Sequence, residues 1–420
     1  AKVPDVPKDT PVRELKNVVV VGGGTMGGGI AMNFVNVGIP VTLKEVNQEA
    51  LDRGLSIIRK NYEVVVKKGR MSEEQLEKNM SMIGGTLDYD DLKDADIVIE
   101  AVFENMALKK EIFTTLDEVC KPGCILASNT STLDIDEIAA VTKRPEDVIG
   151  LHFFAPANVM TLLEIVRGEK TSKEVIATAM QMAKTIRKIG VLVRVCFGFV
   201  ANRMFFPYVR EAQRMILEGV PAERIDQVAY DWGMAMGPNG VCDLSGLDVL
   251  DKVKNEWENR PEDPTLWHVI TKLVEQDRLG QKTGAGIYKY EGRNAVPDPE
   301  VAELARTEAE KLGVEQLEIG DQEIIERLLF SMINEGALVL EEGIAMRPGD
   351  IDVVFANGYG MPRYRGGPMC YADTVGVKNV YDAILKYRER YGDTNWTPAP
   401  LLEKIAKEGG SFEQWNNARG

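Results

Sequence analysis

Residues 17–27 restrict the fold more than any other stretch of this chain. Asn17 is followed by four valines, Val18 to Val21, and then by Gly22, Gly23, Gly24, Thr25, Met26 and Gly27. A short apolar run ending on glycines reads as a buried parallel strand, and residues 28–37 continue as a helix that Gly38 and Pro40 stop. The glycines fit G-x-G-x-x-G. Gly22 permits a tight turn, Gly24 lets backbone approach a pyrophosphate, and Gly27 lets the helix lie close on the strand. Thr25 and Met26 then present their amides to phosphate at the helix N-terminus. A second strand, 41–45, ends in Glu45, placed to accept the adenosine ribose hydroxyls and to repel a 2′-phosphate. The expected cofactor is therefore NAD and not NADP. Lys44, next to it, qualifies this, since an inward-pointing ammonium could serve a phosphate.

Further strands are expected at 97–101, 125–127, 148–151 and 162–166, separated by helical patterns, with a long helical stretch over 48–80, and the segment 190–195 closes this region. Strands alternating with helices imply an α/β Rossmann-like, doubly wound parallel sheet. From about residue 198 the pattern is helix after helix, and it repeats. Arg203, Phe206, Glu211 and Gly219 recur as Arg327, Phe330, Glu335 and Gly343, and Gly237-Pro238, Asp243 and Gly246 recur as Gly367-Pro368, Asp373 and Gly376. The expected organisation is a linker-like segment 1–14, rich in Pro and charge, a dinucleotide-binding domain 15–195, and a duplicated all-α domain in copies 196–318 and 319–420.

Bulk composition excludes several classes. A net charge of −15 argues against non-specific nucleic-acid binding, which needs Lys and Arg on phosphates. No run approaches eighteen apolar residues, so no membrane span is expected. Five cysteines lack the second pair and the histidines of a zinc site, so no metal is expected and the thiols read as reduced. With no secretory or organelle signal legible, the default location is the cytoplasm.

Only two histidines occur, His152 and His268. His152 follows the nucleotide-binding segment, with Glu164 twelve residues on. A neutral imidazole can take a proton from an alcohol near neutral pH, and a carboxylate on its other nitrogen fixes the tautomer and stabilises the imidazolium. The bland alternative is a satisfied polar residue between two strands. On the residues alone, Ser131 reads equally as a turn residue, Asn202 as a helix-start asparagine, and Glu104 and Lys109 as solvated charges.

The glycine loop, His152, Glu164 and the duplicated Gly-Pro-Asp-Gly frame together resemble the 3-hydroxyacyl-CoA dehydrogenase family of fatty-acid β-oxidation. More closely, they resemble the dehydrogenase half of multifunctional enoyl-CoA hydratase/3-hydroxyacyl-CoA dehydrogenases. The resemblance also rests on Glu100 to Glu104, Ser128 to Thr132, Gly198 to Arg203 and Arg278 to Gly284. It implies oxidation of an (S)-3-hydroxyacyl-CoA with NAD+, His152 as base with Glu164 its partner, and Ser131 near both nicotinamide and substrate oxygen. It also implies Asn202 at the thioester, and Glu104 and Lys109 on the nicotinamide side. A hydratase domain is implied in the full protein, and a monomer is compatible with it, since the second copy could replace a dimer partner. That copy carries Glu326 where the first has Asn202, so a structural role is expected for it. Ala155 departs from the asparagine common after His-Phe-Phe, and Lys67, Lys68 and Arg70 are candidates for the CoA phosphates. Two other readings stand beside this one: a dehydrogenase of small β-hydroxyacids, and an NAD-binding structural protein without catalysis.

Overall fold

The computed structural model describes residues 3–419 and divides into two compact units, one ending at Phe199 and the other beginning at Val200. The first begins with strand β1 (Val18–Val21), helix α1 (Thr25–Val35), β2 (Val41–Lys44), α2 (Gln48–Lys67), α3 (Glu73–Ser81) and β3 (Ile83–Thr86). It continues with β4 (Ile97–Glu100), α4 (Met106–Val119), β5 (Ile125–Ser128), α5 (Ile135–Ala140), β6 (Val148–Phe153), β7 (Leu162–Arg167), α6 (Lys173–Thr185) and β8 (Ile189–Arg194). The strands form one sheet in the order β3-β2-β1-β4-β5-β6-β7-β8. Order reverses at β1, and the carboxyl ends of β1 and β4 flank the switch point where such sheets bind nucleotides. All four valines of β1 are buried, as a central strand covered on both faces requires.

The α/β Rossmann-like expectation holds, with three local differences. β3 is a strand the pattern does not reveal, because Gly84 and Gly85 lower its strand propensity. A Cβ at Gly85 would lie 2.7 Å from the Leu51 side chain of α2, so a larger residue there would force that leucine to shift. The stretch 48–80 is two helices, broken at Gly69 (φ +67°), with the Ser72 hydroxyl accepting from Gln75 N at 3.1 Å to start the second. Finally, β7 runs antiparallel to β6, so the sheet is not wholly parallel. Only residues 154–161 join the two strands, too few for a crossover connection.

From residue 3 on, the expected linker lies along the first unit. Arg13 pairs with Asp147 at 2.7 Å and Arg167 with Asp5 at 2.8 Å, which ties two of its charges to the sheet unit. Residues 1 and 2 lie outside the described residues.

The second unit is helical apart from a hairpin. Its first copy holds α7 (Ala201–Leu217), α8 (Ala222–Trp232), α9 (Pro238–Ser245), α10 (Leu247–Glu256) and α11 (His268–Val274). The hairpin strands β9 (Lys289–Glu291) and β10 (Asn294–Val296) and α12 (Pro299–Leu312) follow. The second copy holds α13 (Asp321–Glu341), α14 (Pro348–Gly358), α15 (Pro368–Val375), α16 (Val377–Tyr391), α17 (Pro400–Glu408) and α18 (Phe412–Asn417). Both copies lie in one compact unit, so position 318/319 separates repeats and not independent bodies.

α7 and α13 pack on each other, and their ion pairs are reciprocal. Arg327 of α13 reaches Glu211 at 2.8 Å and Glu218 at 2.6 Å, while Arg203 of α7 reaches Glu335 at 2.7 Å and also pairs with Glu342. Every residue of one set is the repeat equivalent of a residue in the other, the signature of an isologous contact built within a single chain.

Candidate active site

The glycine loop closes the gap between β1 and α1. Gly22 adopts φ +97°, and a Cβ there would lie 2.8 Å from the carbonyl oxygen of Ala101. A Cβ on Gly27 would sit 1.8 Å from the Gly22 oxygen, so only glycine lets α1 approach. Gly54 of α2, which the motif does not include, stands against the loop from the other side, its Cβ position 2.8 Å from the Gly23 oxygen. Gly24 differs: a Cβ there would meet nothing within 4 Å. It borders a cleft of about 440 Å³ lined by residues 22–26, Glu45, Tyr89 and Phe103 among others. No side chain caps α1 and no acid sits in its first turn, so its leading amides, Thr25 and Met26 among them, point toward this cleft. Backbone donors at an uncapped helix start, with no carboxylate in its first turn, fit a pyrophosphate.

The Glu45 carboxylate stands at the cleft, accepting from Gly23 N at 2.6 Å and from Val46 N at 3.0 Å. Lys44 Nζ lies over the Tyr89 ring, 3.9 Å from its centre, and burial lowers its pKa. The carboxylate is thus fixed by backbone, while the neighbouring ammonium is engaged by an aromatic face.

Beyond β4 lies a buried ionic cluster that the sequence reading only partly contains. Lys109 of α4 is 1% exposed, with Nζ 2.7 Å from Glu100 and 3.4 Å from Glu104. Glu100, missed as a site residue, also accepts from Ser128 Oγ at 2.6 Å and from Val102 N at 2.8 Å. Glu104 accepts from Thr130 Oγ1 at 2.5 Å, Ser131 N at 2.8 Å and Ser131 Oγ at 3.3 Å. Burial alone would push the Glu104 carboxyl up, but Lys109 and the Thr130 and Ser131 donors outweigh it, and its pKa falls below the usual value. Lys109, expected on the cofactor side, is enclosed by carboxylates, so any effect it has on a ligand passes through Glu104.

His152 and Glu164 face each other across the antiparallel β6–β7 pair, in direct register. Nδ1 lies 2.7 Å from Glu164 Oε2, with His152 6% and Glu164 0% exposed. An ionised carboxylate only accepts, so Nδ1 carries the proton and Nε2 presents the lone pair. The Phe154 ring packs on the imidazole at 4.3 Å. Asn129 Oδ1 accepts from Phe153 N at 2.9 Å, tying the segment that carries Ser131 to the strand that carries His152. His268 also has a carboxylate, Glu308 at 2.7 Å, but Lys311 shares it and α12 supplies it. The two pairs differ in setting: only His152 stands beside the Ser128–Thr132 turn and on the nucleotide-binding sheet. Lys67, Lys68 and Arg70 are solvent-exposed at the end of α2 and after it. Asn202 is the second residue of α7 and belongs to the other unit.

The β6–β7 connection is anchored from below by Lys188, whose Nζ donates to the carbonyls of Ala157 at 2.7 Å and Met160 at 2.5 Å. Asn33 Nδ2 shares the Ala157 oxygen at 3.0 Å. Burial lowers the Lys188 pKa from 10.5 to about 8. Between those two pH values the unfolded chain keeps a proton that the folded chain has released, so stability from this residue rises with pH. The melting temperature of the wild type should therefore climb relative to Lys188→Met between pH 8 and 10. A difference that stays flat across that range refutes the assignment.

A reversal-point cleft with an uncapped helix end, on a sheet that also carries a buried histidine–carboxylate pair, places the chain among the dinucleotide-binding α/β dehydrogenases. Comparisons with known proteins narrow this. Residues 17–196 match the 3-hydroxyacyl-CoA dehydrogenase NAD binding domain, and residues 198–290 and again 324–414 match the 3-hydroxyacyl-CoA dehydrogenase C-terminal domain. The chain belongs to the 3-hydroxyacyl-CoA dehydrogenase family. A peroxisomal bifunctional enzyme of Danio rerio is 42% identical over 420 residues, covering 96% of this chain and 58% of its own length. Its counterpart in Homo sapiens is 40% identical, covering 98% and 59%. The chain thus spans a little over half the length of these curated relatives. Among solved structures, 3-hydroxybutyryl-CoA dehydrogenase from Escherichia coli superposes with TM-score 0.83 at 29% identity, covering 94% of this chain and 99% of that one. The dehydrogenase part of multifunctional enzyme 1 from C. elegans gives 0.70 at 32%, covering 96% and 93%. The two C-terminal matches agree with the repeat legible in the sequence. Among the described residues no helix is long and apolar enough to cross a membrane.

Proposed function

We propose that this chain oxidises (S)-3-hydroxyacyl-CoA thioesters to 3-oxoacyl-CoA with NAD+, as the dehydrogenase portion of a longer multifunctional protein that also carries an enoyl-CoA hydratase domain. The observation that carries the reading is the buried 2.7 Å contact between His152 Nδ1 and Glu164 on the nucleotide-binding sheet. When bound, NAD+ supplies the acceptor for the hydride that leaves C3 of the substrate. Gly24, Thr25 and Met26 would hold its pyrophosphate, with Gly22 and Gly27 shaping the loop, and Glu45 would hold its adenosine ribose. His152 Nε2 takes the hydroxyl proton, and Glu164 stabilises the imidazolium that results. The Ser131 hydroxyl donates to the substrate oxygen, Glu104 and Lys109 fix the turn that presents it, and Asn202 binds at the thioester. The relatives' peroxisomal and glyoxysomal names favour such an organelle over the cytoplasm expected by default.

The test is NADH consumption with acetoacetyl-CoA, beside free acetoacetate and beside NADPH. Rapid turnover is expected only with the thioester and NADH. Turnover of the free acid alone would overturn the substrate class, and equal use of NADPH would overturn the role given to Glu45. A second test isolates the cradle. Gly24→Ala should fold normally, since its Cβ meets no atom, yet weaken NADH binding by more than about tenfold because the methyl occupies the pyrophosphate's approach. Unchanged NADH affinity in that variant would remove Gly24 from the site.

A further inference from the structure

The second helical copy has no glycine loop, and its Glu326 stands where the first copy has Asn202. It nevertheless reaches the first copy's asparagine. The Tyr359 hydroxyl, from the C-terminal end of α14, donates to Asn202 Oδ1. Its ring stacks on Phe205 of α7, with centroids 4.6 Å apart, and on Phe355 at 5.3 Å. From the repeat's symmetry this contact is unexpected. The arginine–glutamate pairs between α7 and α13 obey the repeat on both sides, as an architectural contact would. The Tyr359–Asn202 contact breaks it at both partners. Aligned on Ile225-Asp226 and Ile351-Asp352, the first copy has Gly233 at the position of Tyr359, and Glu326 takes the hydroxyl of Tyr387 from its own copy.

We propose that Tyr359 is a positioning residue for Asn202, supplied by the second copy to the first. An asparagine amide has an accepting and a donating end, and rotation by half a turn exchanges them. With Oδ1 facing the Tyr359 hydroxyl, Nδ2 is turned the other way, as a donor. A thioester carbonyl or a substrate oxygen only accepts, so this orientation is the productive one. The second copy thereby sets the state of a site residue in the first, beyond covering its apolar face. This inference rests on the acyl-CoA dehydrogenase reading, which assigns Asn202 to the thioester.

The test is a double-mutant cycle with Tyr359→Phe and Asn202→Ala, read as kcat and KM for acetoacetyl-CoA, KM for NADH, and Tm. Phenylalanine keeps both ring contacts and removes only the hydroxyl. Tyr359→Phe should lower kcat by about tenfold, the size of a 1.4 kcal/mol coupling. The KM for NADH should hold, and Tm should stay within about 2 °C, since no packing is lost. In the Asn202→Ala background the same change should alter kcat less than about twofold, because the group it positions is gone. Equal losses in both backgrounds, or a kcat loss that tracks a falling Tm, would assign Tyr359 to packing of α14 on α7 and overturn the proposal. An active wild type with additive losses overturns positioning alone. A wild type inactive on acetoacetyl-CoA overturns the functional reading and this one with it.

Discussion

Replacing His152 with glutamine should lower turnover of acetoacetyl-CoA by roughly 100- to 10,000-fold, the range that a positioned acid or base contributes. Glutamine keeps a polar side chain of similar reach but cannot take a proton. NADH affinity should hold within about twofold, because in the proposed mechanism the imidazole acts in the transition state and not on the bound cofactor. Glu164→Gln is expected to fall between this variant and the wild type. It leaves His152 hydrogen-bonded but removes the charge that stabilises the imidazolium, and an amide can donate to Nδ1 and so favour the wrong tautomer. Stopped-flow turnover beside fluorescence titration with NADH measures both quantities. A His152→Gln enzyme with near-wild-type kcat would remove the dyad from the mechanism.

The largest expected stability effect lies in the second unit. Arg327 is 0% exposed and holds two carboxylates, Glu211 and Glu218, that are themselves buried. Burial alone would lower its pKa, yet those carboxylates outweigh it and raise the pKa above the usual arginine value. The guanidinium also lies 4.0 Å over the Tyr391 ring, and Glu211 accepts from Asn395 at 2.6 Å. Arg327→Met leaves Glu211 buried without its cation and Glu218 with Arg214 alone, at 2.8 Å, at a cost of about 3–5 kcal/mol. For a unit of this size that corresponds to a fall in Tm of roughly 6–20 °C. Adding Glu211→Gln and Glu218→Gln should recover much of the loss, because neutral polar groups no longer need a counter-charge. A single variant that melts with the wild type would show that water reaches these carboxylates. Arg203→Met, at the partly exposed mirror position, should cost less.

How far each feature could be read in advance follows from the range of the interaction that makes it. The loop at Gly22 to Gly27, the position of Glu45 and the alternation of strands with helices are local. They arise from backbone freedom, capping and hydrophobic period, which a contiguous stretch of sequence displays. The duplication was legible too, because Arg203, Glu211 and Glu218 and their copies recur at one spacing. The strand at Ile83–Thr86 was not, since two of its four residues are glycines, and Gly85 answers to Leu51 and not to strand propensity. Nor was the antiparallel turn of β7, although the eight residues before it were signal enough, being too few for a crossover.

The sequence by itself determined the nucleotide-binding architecture, the repeat, and a short list of residues with the right chemistry. Tertiary structure alone decided which of them meet. Antiparallel pairing set His152 opposite Glu164. Packing of α4 on the sheet enclosed Lys109 between Glu100 and Glu104 and so made Glu100 part of the site. Folding of one repeat onto the other brought Tyr359 to Asn202, 157 residues away in the chain. Such pairs depend on register and helix packing across the whole unit. No local spacing records them, because the free energy that selects them comes from burying both partners at once.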